Sequence, residues 1–329
     1  MNQVGGPVIC AERVSGTERR RLYRAERAGE YLRLARGHFI ETSAYEDLDE
    51  DEKEFARIAA VACCAPRSLV VGRSAALLWE LPVVDEPEKR ATRKVELGWK
   101  GGRTATYGGV RYRSLHSVHL DEAESTDTDF GTVRLSDVLT TSLDLARWSS
   151  HRDAVRALDH GIQTEQFTLA DIDTRVSELG SVQGIGKIRR AALMASAGSE
   201  SPAETDAKLM FREIGIPCPL QQVTLTGRRG GTIGREDYFF PNEGLVVAID
   251  GEVKYSLLDP GDDSIRLKEF EQSLEYNRNG LRLVRFSCVD LDSGLAAETM
   301  EAFFADDAVP GLAYPDHLWV DEGGPAWRE

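Results

Sequence analysis

The segment LVVAIDGEVKY, from Leu245 to Tyr255, constrains the fold of this chain more than any other. It reads as an apolar strand whose far end carries Asp250, Glu252 and Lys254 at every second position, so these side chains leave one face, the face that also holds Ala248. Three readings are open on these residues alone: a metal-binding nuclease edge, such an edge with a carboxylate lost, or an ordinary strand running out into solvent.

The neighbouring sequence supplies the rest of a domain. In SPAETDAKLMFREIG, Ser201 is a good helix N-cap, Pro202 suits the first helical position and Glu204 stands at the capping-box position. Ala207, Met210, Phe211 and Ile214 line one face of that helix until Gly215 ends it. A strand containing Arg235 to Phe240 and a turn at Pro241 to Gly244 follow, and the hairpin register brings Asp237 alongside residues near 248 to 250, on a strand about 4.8 Å away. Two carboxylates meeting there repel, and a divalent cation with oxygen ligands would hold them together. From Ser201 to about Asp307 the expected order is α-β-β-β-α-β, with the second helix over 264–279.

Toward the N-terminus, TERRRLYRAERAG is a helix closing on Gly29, and EYLRLARGHFIET alternates around Arg36-Gly37 as two short strands, a layout of helix and basic hairpin expected of a winged helix. The acidic run EDLDEDEKE caps and starts a helix, and SAALLWEL is a short helix stopped by Pro82. Between Lys94 and Leu135, alternating stretches broken by glycine pairs predict a small antiparallel sheet, followed by helices from Asp137 to Gly198.

Composition bounds what such a chain can do. Its 329 residues, 41% hydrophobic and 29% charged, suit a globular protein of two or three domains. A formal charge of −15 argues against a surface built for indiscriminate DNA binding. Between Glu12 and Ile40, however, eight arginines face four glutamates, a net of +4, which is enough for one docking face. Five dispersed cysteines fit reduced, mostly buried thiols, and His116 and His119 have too little support from other ligands to suggest zinc. No apolar run has signal-peptide or membrane-span length, so no membrane partner and a cytoplasmic location are expected. The sequence has no GxSxG elbow, phosphate loop or HExxH, and GSVQGIGKIRRAAL reads as a helix start with a flexible entry.

The succession SPAE, REDYFFPNEGLVVAIDGEVKY, a helix, then GLRLVRFSCVDL resembles actinobacterial proteins that join an AbiEi-type antitoxin N-terminal region to a Vsr-like, DUF559-type domain of the PD-(D/E)XK nuclease fold. RLARGHFI, VVGRSAALLWELPV and LSDVLTTSLDLAR extend the likeness upstream, so that it runs from about Arg19 to Leu291. The resemblance implies an α+β multidomain chain: a winged-helix-like unit over 1–82, a middle antiparallel sheet plus helices over 83–198, a restriction-endonuclease-like α/β domain over 199–307 and an acidic tail over 308–329. It also implies that Glu204 matches the family's helix glutamate, Asp237 its first metal-binding aspartate, Asp250 and Gly251 its DG, and Lys254 the basic position that follows.

The central glutamate of that pattern falls at position 248, where this chain has Ala248. Glu252 lies about 13 Å along the strand, too far to replace it, whereas Asp250 lies only about 6.6 Å away. The following helix carries Glu269-Phe270-Glu271-Gln272-Ser273 where the family has a basic run. The expectations are therefore three. The first is a double-stranded-DNA-binding regulator of antitoxin type, docking through Arg19, Arg20, Arg21, Arg24, Arg33 and Arg36, with a degenerate nuclease domain and a cognate nucleotidyltransferase-type toxin as its candidate partner. The second is a Mg²⁺-dependent endonuclease using Asp237 and Asp250 as metal ligands with Glu252, Lys254 and Glu204. The third is a protein-interaction module that touches no nucleic acid.

Overall fold

The computed structural model of the protein describes residues 8–11, 13–84, 87–90, 92–99, 104–250, 263–305 and 313–328, with backbone alone at 87 and 263–269. Among these residues the chain is mixed α/β, with fourteen α-helices and three sheets. It divides into two compact units, one of Met1–Ala154 with Thr174–Ile188, the other of Val155–Asp173 with Arg189–Glu329.

The first unit opens with β1 (Val8–Cys10), α1 (Gly16–Arg27), β2 (Tyr31–Ala35) and β3 (His38–Glu41). Ser15 and Glu18 form a reciprocal capping box that starts α1. Strands β2 and β3 make the expected hairpin, with Gly37 at φ +77° in its turn, and β1 adds to β3 to complete an antiparallel sheet in the order β1-β3-β2. Leu22 of α1 packs with Ala11 and Phe39 beneath it.

After α2 (Thr42–Glu46), Asp49 and Glu52 cap α3 (Glu50–Cys63), so the acidic run does start a helix. Phe55, Ile58, Ala59 and Ala62 of α3 enter a core shared with a six-stranded sheet. That sheet is assembled from β4 (Leu69–Val70), β5 (Val95–Trp99), β6 (Ala105–Tyr107), β7 (Val110–Ser114), β8 (Glu124–Thr128) and β9 (Gly131–Leu135), in the order β6-β7-β5-β4-β9-β8. The expectation of an antiparallel sheet is corrected here: β5 pairs with β7, and β4 with β9, in parallel. The hairpin of β6 and β7 inserts with β7 innermost, and that places two strands of like direction side by side. Because β4 pairs with both β5 and β9, segments on either side of residue 82 share one sheet.

Helices α4 (Gly72–Leu78), α5 (Pro87–Arg90), α6 (Val118–Asp121) and α7 (Val138–Trp148) complete that unit, and the chain passes between units within α8 (His151–Gln163), α9 (Leu169–Leu179) and α10 (Ile185–Met194). Gly184, at φ +85°, precedes α10, and its carbonyl accepts the Lys187 and Ile188 amides that start that helix.

The second unit carries the succession α11 (Pro202–Glu213), β10 (Leu220–Thr226), β11 (Thr232–Phe240), β12 (Leu245–Asp250), α12 (Asp263–Arg278) and β13 (Arg282–Ser287), then α13 (Cys288–Ser293), α14 (Leu295–Ala305) and β14 (Trp319–Pro325). Its sheet runs β13-β12-β11-β10-β14, antiparallel except for the pair β12 and β13. Phe211 of α11 meets Tyr238 and Phe240 edge to face on one side. Val223, Leu225, Phe239, Val246 and Tyr276 form a core on the other. Within the acidic tail, β14 pairs with β10 as an edge strand, and its Trp319 ring stands 5.9 Å from that of Phe239.

All five cysteines are free thiols, but none is buried, and Cys64 and Cys218 are exposed, which corrects the expectation of mostly buried thiols. Cys64 sits at the C-cap of α3, a helix end that reaches the surface. No helix among the described residues is long and apolar enough to cross a membrane.

Candidate functional site

The charged edge of the second unit is built around a distortion of β10. Gln222 has φ +50°, and the pairing of β10 with β14 shifts register between Gln221 and Val223. Such a bulge lets successive side chains leave a strand on the same face. Gln221 and Gln222 both turn toward α11: Gln221 Nε2 donates to Ser199 Oγ (2.9 Å), and Gln222 Nε2 donates to Glu204 Oε2 (3.0 Å).

Opposite, in β11, Tyr238 also faces α11 and donates its hydroxyl to the Glu204 carbonyl (2.5 Å), whereas Glu236 turns to α12, where Tyr276 Oη and Gln272 Nε2 donate to it. Asp237 lies between them. Its Oδ2 accepts the Ile249 N–H (2.6 Å), and the Gln222 amide bonds it as well, so one amide side chain ties Asp237 to Glu204. The register Tyr238↔Val247, continued one step, sets Asp237 against Ala248.

Burial governs the electrostatics. Glu204, almost wholly enclosed, is pushed up to about 7, first by burial and then by the charge of Asp237. The amide of Glu200 and the hydroxyl of Ser201 oppose that rise. Asp237 and Glu236 are also raised, again chiefly by burial, with Asp250 adding a like charge to each. Asp250 is buried 3.6 Å from Arg285, which also donates to Gln272.

Asp237 thus stands between Glu204 on the α11 side and Glu236, Asp250 and Arg285 on the α12 side, and its charge acts on both Glu204 and Glu236. Asp237 and Asp250, expected as joint metal ligands, have different hydrogen-bond and ion-pair partners but lie close enough for the charge of Asp250 to raise Asp237. No group of three or more acidic, histidine or cysteine side chains among the described residues has the geometry to hold a metal ion. Ala248 leaves the central carboxylate position of the expected pattern without a ligand. Glu252 and Lys254 lie outside the described residues. Sequence reasoning missed Gln222, Glu236 and Arg285. Paired glutamines in the strand LQQVTLT, and a second acid beside Asp237, were the available signals.

At the N-terminal unit, Arg19, Arg20, Arg21, Arg24, Arg33 and Arg36 are all exposed. With 100° between residues, Arg20, Arg21, Arg24 and Arg27 share one face of α1, opposite buried Leu22. Arg19 is turned aside, donating its Nε to the Ala11 carbonyl (2.8 Å), and Arg33 pairs with Glu26 (3.2 Å).

No family model matches the chain. Two curated relatives, each described as an uncharacterized protein of Mycobacterium tuberculosis, from strains CDC 1551 / Oshkosh and ATCC 25618 / H37Rv, are 28% identical to it over 106 residues. The match covers 32% of this chain and spans 39% of the length of each relative.

Proposed function

We propose that the protein is a DNA-binding regulator of antitoxin type, docking through the α1 arginines and the adjoining hairpin, with a weakened nuclease-fold domain as its second unit. The observation that carries this reading is the exposed arginine face on a chain whose net charge is −15. Phosphate neutralisation by arginine supplies affinity, and surrounding acidity confines it to that face. The helix and two-stranded hairpin support a winged-helix reading of the first elements, and the order α11-β10-β11-β12-α12-β13 supports a PD-(D/E)XK reading of the second unit. The weakening is supported by Ala248 and by the protein donors that already occupy Glu204, Glu236 and Asp237. A regulator of this type would take a nucleotidyltransferase-type toxin as partner.

The test is titration of labelled duplex DNA, read by fluorescence anisotropy, with wild type and an Arg20→Ala/Arg21→Ala/Arg24→Ala variant. Weakened binding with a flatter salt dependence in the variant is expected. Equal binding by both proteins eliminates this docking face.

A second reading, a Mg²⁺-dependent DNA endonuclease, is favoured by one observation: the charge of Asp237 adds to burial in raising the proton affinity of Glu204, a repulsion that a cation would relieve. It expects nicking of supercoiled plasmid in Mg²⁺ or Mn²⁺ that disappears in Asp237→Ala. Intact plasmid with wild type at high protein concentration would remove it.

A further inference from the structure

A second charged feature lies in the first unit, independent of the carboxylates above. In the ladder of β5 and β7, Glu96 pairs with Arg111 and Gly98 with Arg113, so Glu96, Arg111 and Arg113 leave the same face of the sheet. That face borders a cleft of about 600 Å³, within the usual range for small-ligand sites. Six cationic side chains line it, Arg73, Lys89, Arg93, Lys94, Arg111 and Arg152, against three carboxylates, an excess of three positive charges on a strongly acidic chain.

The three carboxylates are buried and engaged. Glu54 accepts from Arg93 (2.8 Å) and lies 3.6 Å from Arg57. Asp153 accepts from Ser149 Oγ (2.5 Å) and the Val84 N–H (2.7 Å), with Arg73 at 3.8 Å. Glu96 is held by Arg113 and by the Arg73 N–H (2.9 Å). Arg57 and Arg113, which stand outside the lining, thus neutralise part of the acid within it. Among the described residues no ion pair engages Lys94 or Arg111, and Arg111 is exposed.

The aromatic wall bears on what would fit. Trp148 has the guanidinium of Arg113 5.0 Å from its ring centre and that of Arg147 4.5 Å away. Cations already on the indole reinforce the positive field and compete with a base for stacking there. Concave walls of one sign concentrate field lines and draw in anions.

We infer that this cleft binds a small phosphorylated anion, with Lys94 and Arg111 as its principal contacts and the Arg73–Asp153 and Arg93–Glu54 pairs as a rigid frame. The recognised chemistry is the phosphate group, whether of a free oligophosphate or of a nucleotide.

Calorimetric titration of the full chain with sodium pyrophosphate and, separately, with ATP, both without divalent metal, tests the assignment. Binding of at least one probe is expected, weakening as NaCl rises and falling about tenfold or more in Lys94→Glu/Arg111→Glu. Tighter pyrophosphate binding identifies a free oligophosphate, and tighter ATP binding identifies a nucleotide. Arg111→Lys, which retains the charge, should keep most of the affinity, and an unchanged circular dichroism melt should show that each variant is folded. Absence of binding by both probes at millimolar concentration, or equal affinity in wild type and the double variant, overturns the inference. So does an effect of the double variant on duplex DNA alone, which would make the cleft part of a nucleic-acid surface.

Discussion

At the scale of single residues, Gln222 organises the carboxylate cluster. A non-glycine residue at φ +50° is strained backbone, and here the strain aims one amide at two acids, Glu204 and Asp237. Glu204 turns that geometry into a pH dependence. Its pKa rises from 4.5 to about 7 on folding, so the folded state holds its proton more tightly than the unfolded chain. The stabilisation is therefore complete below about pH 4.5 and is lost as the pH climbs through about 7, an effect of up to about 3 kcal/mol. Urea unfolding between pH 4.5 and 8 should show this decline in wild type and a flatter profile in Glu204→Gln, whose side chain is neutral throughout. Parallel profiles for the two proteins would assign the pH dependence to other groups. The capping-box spacing of Glu204 was legible in the sequence, whereas its proton affinity was not, because that depends on Asp237 and on burial.

At the scale of elements, the acidic tail does more than end the chain. Strand β14 covers β10, which would otherwise offer an unpaired edge, and Trp319 extends the aromatic packing around Phe239. Trp319→Ala should lower the stability of the second unit by about 2–3 kcal/mol, read as a drop in the denaturation midpoint followed by fluorescence. A change within error would mean that β14 is held by its backbone ladder alone. Helix α1 illustrates the opposite limit. Its capping box, its closing glycine and its arginine spacing were local signals, and local signals are what a sequence displays most directly.

At the scale of the whole molecule, charge is distributed with purpose rather than evenly. A chain of −15 that exposes Arg20, Arg21, Arg24, Arg27 and Arg36 near its N-terminus can neutralise only a few phosphates at once. The logarithm of DNA affinity should accordingly fall with the logarithm of salt with a slope of magnitude no more than about 5, and the triple alanine variant should reduce that magnitude by about 2 to 3. Helix caps, the hairpin at Arg36-Gly37, the α-β-β-β-α-β order and the approach of Asp237 to residues 248–250 were all determined by the sequence itself, because period, turn chemistry and register act over a few residues. Only the tertiary structure decided that β5 and β7 run parallel, that Glu236 and Arg285 join Asp250 while Gln222 joins Asp237 to Glu204, and that Lys94 and Arg111 meet at one cleft. These depend on which distant strands become neighbours and on how much water is excluded between them, quantities that no local pattern encodes.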